Sequence, residues 1–168
     1  MRLIDSHTLR RFCPVLAFLF MSLVATSAEA QQISTVDSND IAGSWLISLN
    51  RVLPFPAQFL ALGTFSKEGT FIGTAQGDGT FLPQVGTEGG AHGAWKRTGH
   101  NTFALTFLTL WFMSDATLTG VMTPNLTLTL DPKTDRVSGQ FSGQLAGPGG
   151  NVIFPLQGSL TGQRIRVQ

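Results

Sequence analysis

From residue 41 onward, β-favouring stretches of roughly 7 to 13 residues alternate with clusters of glycine, proline and short polar residues. This spacing predicts strands over 41–49, 58–66, 70–76, 91–98, 101–113, 116–130, 136–145 and 152–167. The intervening turns are chemically explicit, as in Lys67-Glu68-Gly69, Gly99-His100-Asn101 and Asp131-Pro132-Lys133-Thr134-Asp135. Turns this short join antiparallel neighbours. No stretch longer than about ten residues keeps a helical period without an internal glycine or proline. Eight strands with mostly short links predict an all-β fold, an eight-stranded antiparallel up-and-down barrel closed on itself. Glycines inside the predicted strands, at Gly120, Gly139, Gly143, Gly158 and Gly162, suit the sharp coiling of a small barrel.

Alternation assigns faces. Leu126, Leu128 and Leu130 point inward, with Thr127 and Thr129 toward solvent. The strand 101–113 is apolar on both sides: Phe103, Leu105, Phe107, Trp111 and Met113 on one, Ala104, Leu108, Leu110 and Phe112 on the other. Both faces then need cover, and the expectation is a homo-oligomer formed through this strand.

Residues 1–30 have a different pattern. Arg2, Arg10 and Arg11 precede an apolar run over 14–25, followed by Ala28-Glu29-Ala30 with small residues at the positions signal peptidase requires. The run falls short of the roughly 20 residues that span a bilayer. The reading is a signal peptide over 1–30, a flexible lead-in over 31–40 and a barrel over 41–168. The destination is the periplasm or the extracellular space, with no membrane span after cleavage. Cleavage after Ala30 would remove Cys13 and leave eight basic and eight acidic side chains. Thiol catalysis, cysteine-ligated metal and disulfides are then excluded. The near-neutral balance, net +1 over 168 residues, argues against nucleic acid as a partner.

Gly43-Ser44-Trp45 opens the first predicted strand, and Gly162-Gln163-Arg164-Ile165-Arg166 lies in the last. This resembles the calycin group, the lipocalin and avidin-like barrels, and 65–74 resembles the second hairpin of avidin-type barrels. The resemblance implies that Trp45 closes the barrel floor and that Arg164 or Arg166 packs across its indole. A desolvated cation over a Trp face gains about 0.5 to 2 kcal/mol. The chain departs from that group in having no Tyr and no Trp after Trp111, which argues against biotin. The bacterial inhibitors of secreted metalloproteases also begin with a Gly-x-Trp strand, and residues 31–40 could act as their blocking segment.

Candidate chemistry is sparse. His100 reads as a turn residue, whereas His92, flanked by Gly89-Gly90-Ala91 and Gly93, is expected at the barrel rim. The connection 77–90 is expected to form a lid bearing Phe81, and its Asp78 and Glu88 would lie near His92. His92, Glu88 and Asp78 are the candidate acid–base groups; His92, Phe81, Trp95 and Trp111 are the candidate ligand contacts. No spacing of His, Asp or Glu suits a metal, and no cofactor motif is present. These features favour an exported barrel that binds a small apolar or aromatic ligand in or at its mouth, rather than an enzyme. The alternatives are a barrel cyclase or isomerase, and a protein-interaction module such as a protease inhibitor.

Overall fold

The structure, a computed structural model, describes residues 40–76 and 87–166. These residues form strands β1 (Gly43–Leu53), β2 (Ala57–Phe65), β3 (Thr70–Ala75), β4 (Thr87–Glu88), β5 (Ala91–Arg97), β6 (Thr102–Phe112), β7 (Leu118–Asp131), β8 (Arg136–Ala146) and β9 (Val152–Arg164). Eight of them close into one antiparallel barrel in the order β1-β2-β3-β5-β6-β7-β8-β9, with β9 pairing back onto β1. The two-residue β4 lies on β6, where Glu88 pairs with Trp111, and Gly89 N–H donates to Leu110 O at 2.8 Å.

The expected strands are present, with three shifts. β1 runs to Leu53 rather than residue 49, β9 ends at Arg164, and the 116–117 pair belongs to a turn. The end of the connection 77–90 is not loop, because Thr87–Glu88 continues the β-ladder. The expected signal peptide, nearly all of the lead-in, and 77–86 with Asp78 and Phe81 lie outside the described residues.

Closure needs glycine where backbones approach most closely. Gly158 pairs with Arg51 across β1–β9, and a Cβ there would stand 2.4 Å from Asn50 O and 2.4 Å from the Phe141 ring. Only a hydrogen fits, so the β8 aromatic ring fills the space above the β9 backbone.

Period-2 alternation puts the apolar set inside. The end where β1 starts is filled with aromatic rings: Phe65 and Phe71 are 4.9 Å apart, Trp95 and Phe103 5.8 Å, and Phe71 and Phe107 5.4 Å. Tilted and edge-on contacts of this length suit ring quadrupoles. A smaller cluster of Trp111, Leu145 and Leu156, joined by Met122 and Phe154, occupies the far end. Strand β6 directs Phe103, Leu105, Phe107, Thr109 and Trp111 inward, and it leaves Leu108 and Leu110 exposed on the outer wall.

Candidate functional site

The two ends of the barrel interior differ in chemistry. At the β1 start, Trp45 is fully buried and its Nε1 donates to Ile41 O at 2.9 Å. Arg164, from the last strand, lies over the indole with its Cζ 4.4 Å from the ring centroid. Its Nε donates to Asp135 Oδ1 at 2.7 Å, Nη2 to Asp40 O at 2.6 Å, and Nη1 to Ala42 O. The guanidinium is 7% exposed and satisfied on all sides, which is what a buried cation requires. Gly43 is necessary here for two reasons: its φ is +128°, and a Cβ would stand 2.8 Å from Arg164 Nη1. Of the two arginines named from the sequence, Arg164 takes the indole; Arg166 is exposed and binds Asp135 Oδ2 at 2.6 Å from Nη2. Burial pushes the Asp135 carboxyl up, but hydrogen bonds and charge from Arg164 and Arg166 outweigh it and hold the group below the ordinary carboxylate range. This end is a closed floor.

An apolar cavity of about 80 Å³ runs from the rings of Phe65 and Phe71 toward the other end. Phe59, Ala61, Phe107, Trp111, Met122 and Leu156 contribute to its walls from four strands. Two side chains of opposite charge, Arg51 of β1 and Glu88 of β4, also line it. Arg51 is 2% exposed, and its Nε donates to Phe55 O at 2.7 Å, anchoring the turn between β1 and β2. Its Cζ stands 6.0 Å from the Phe59 ring centroid. On β6 between Phe107 and Trp111, Thr109 is 1% exposed and its hydroxyl has no hydrogen-bond partner. Polar groups are therefore few and set at one end of an apolar chamber, the arrangement that orients a small ligand.

The residues named from the sequence fall in different places. Trp111 and Glu88 line the cavity. Trp95 points inward but packs in the aromatic floor, with Nε1 donating to Ser66 O at 2.9 Å. His92 is exposed on the outer wall, paired with Ile72 on one side and Leu108 on the other. Its side chain points outward rather than into the cavity, because strict alternation along β5 turns it away from Ala91, Gly93 and Trp95. Of the three acid–base candidates, Glu88 is the one that reaches the interior among the described residues. His100 lies in the exposed turn, where its carbonyl accepts from Arg97 Nη1. Among the described residues, no three His, Asp or Glu side chains are grouped to hold a metal ion.

Arg51 was missed by sequence reasoning, although a signal for it existed. Trp45, Ile47 and Leu49 point inward, and two further residues along the same alternation bring Arg51 to the interior. Followed by Val52-Leu53-Pro54, it reads instead as a solvated residue entering a turn.

Comparison of the chain with protein-family models, with curated proteins and with solved structures returned no match.

Proposed function

We propose that this protein is an exported calycin-type barrel that binds a small apolar or aromatic molecule inside the barrel. The observation that carries this reading is the roughly 80 Å³ apolar cavity lined by Arg51 and Glu88. Besides anchoring the β1–β2 turn through Phe55 O, the Arg51 guanidinium puts a positive charge beside this apolar space, where apolar residues of similar volume are often as stable or more so. The kinship with calycins rests on Gly43-Ser44-Trp45 at the floor, with Arg164 over the indole. Export rests on the pattern of residues 1–30.

Size narrows the ligand. Pockets for drug-sized molecules run to about 300–1,000 Å³, so this cavity suits a much smaller guest. An apolar cavity of about 150 Å³ admits benzene, so a single ring enters this one only as its walls shift outward. The guest class is therefore a single ring or a short branched chain, with a polar atom turned toward Arg51. Native mass spectrometry of protein purified from its own host tests the proposal. It expects an adduct on the order of a hundred daltons that is lost on mild activation; adduct-free protein under conditions that retain other weak ligands would contradict it.

A further inference from the structure

The outer wall of the barrel is divided. On β7, β8 and β9 the outward residues include Thr127, Thr129, Ser138, Gln140, Ser142 and Thr161, exposed and uncharged but polar, with Arg136 at the start of β8 and the apolar Val152 and Ile153 at the start of β9 also exposed. On β1, β2, β3, β5 and β6 they include Leu46, Leu60, Leu62, Ile72, Leu108 and Leu110, exposed by 45%, 49%, 49%, 53%, 49% and 44%. Register joins these six into one diagonal band. Leu46 pairs directly with Leu62, and Leu60 stands two residues along the same face. Ile72 is the diagonal neighbour of Leu62, because Leu62 pairs with Thr74. Ile72 pairs with His92, His92 pairs with Leu108, and Leu110 follows on the same face. His92 is thus the centre of an apolar band rather than a residue of the cavity.

We infer that this band is the contact surface between two copies of the chain. Six half-exposed large side chains present about 500 Å² of apolar surface, near the upper limit of what monomers leave bare. With the intervening Ser48, Thr64, Thr74 and His92, the band approaches the ~800 Å² per partner of a standard interface. Its charge pattern selects the partner. Lys96 is the one charged residue among the outward-facing positions of these five strands, and it stands two positions beyond Ala94 at the floor end. A neutral, uniform band meets a second copy of itself across a two-fold axis without like-charge conflict. A lipid surface would instead be met by a rim of several lysines and arginines. Because every long strand of the barrel is paired on both sides, association takes place face to face between walls rather than edge to edge.

Sedimentation velocity over a micromolar concentration series tests the inference, using wild type, Leu62→Glu, Leu108→Glu and a control, Gln140→Glu, on the polar wall. Wild type and the control are expected to be dimers, and each leucine variant to weaken dimerisation at least about tenfold, as a desolvated charge does. Near-UV circular dichroism confirms that all four share one fold. Radical footprinting of the wild type needs no variant: Leu62, Ile72 and Leu108 should become more protected as concentration rises. A wild-type monomer at high micromolar concentration, dimers unaffected by both leucine variants, or concentration-independent footprints would overturn the inference. So would a monomer that binds phosphatidylglycerol vesicles through the same leucines. None of these outcomes depends on whether the cavity is occupied.

Discussion

The Arg164 guanidinium covers the Trp45 indole at 4.4 Å while its nitrogens reach Asp135, Asp40 and Ala42. One side chain of the last strand therefore ties the first strand, the chain just before it, and the β7–β8 turn. In a closed barrel the first and last strands are not joined by a turn, and their seam spans the longest sequence separation. A buried cation–π contact with full hydrogen bonding fixes that seam in a single register.

Trp45→Ala should cost about 3–5 kcal/mol, the range for removing a large buried aromatic. Gly43→Ala should also destabilise the protein, by about 1–2 kcal/mol from its positive φ alone, with the crowding against Arg164 adding to it. Urea unfolding followed by tryptophan fluorescence measures both. A Gly43→Ala protein as stable as wild type would show that the guanidinium does not occupy the space above the glycine.

Asp135 makes the floor sensitive to acid. Its folded pKa lies below the unfolded value of about 3.9, so its contribution is complete above that value and is lost as pH falls through the folded pKa. Asp135→Asn leaves the buried Arg164 without its counter-charge and should cost about 3–5 kcal/mol at neutral pH. The variant should also show a shallower loss of stability than wild type below about pH 4. Melting temperatures at neutral and acid pH supply the comparison, and parallel curves for the two proteins would refute the assignment.

Much of this fold could be read from alternation and turn chemistry, because a half-buried antiparallel strand shows its period directly in Leu126, Leu128 and Leu130. The floor was legible for a similar reason: Gly43 and Trp45 are neighbours in sequence, and a closed barrel must bring the last strand to the first. The outer band was not. Ile72, His92 and Leu108 belong to three strands, and their adjacency exists only in the ladder register. Alternation along β5 turns His92 and Trp95 to opposite faces, but it does not say that the outward face is apolar. Arg51 was hidden because arginine before a proline turn ordinarily marks solvent.

The β6–β7 turn carries removable strain. Ala116 has φ of +65°, while Met113 N–H donates to Thr117 O at 2.8 Å and Asp115 Oδ1 accepts from Thr117 N–H at 2.9 Å. Left-handed geometry costs a residue with a Cβ about 1–2 kcal/mol, and glycine offsets part of that gain by its greater unfolded-state entropy. Ala116→Gly should raise the melting temperature by about 2–4 °C. A lower melting temperature would mean that unfolded-state entropy dominates at this turn.

Thr109 tests the chemistry of the cavity end. Its hydroxyl is buried without a partner, and an unsatisfied buried group costs about 1–3 kcal/mol. Thr109→Val keeps the shape and should stabilise the ligand-free protein by about 1 kcal/mol, measured by denaturant midpoint at unchanged slope. Destabilisation would show that the hydroxyl is satisfied in solution.

The central claim is that the barrel admits a small apolar guest beside Arg51, and titration with a single-ring probe such as toluene or phenol tests it most directly. Of the chain's three tryptophans, Trp111 is the one that lines the cavity, so its fluorescence reports entry. Saturable quenching is expected in wild type and in Trp45→Phe, and its loss is expected in Ala61→Phe, whose added ring occupies the cavity. Quenching that never saturates, or that persists unchanged in a folded Ala61→Phe protein, would contradict the account.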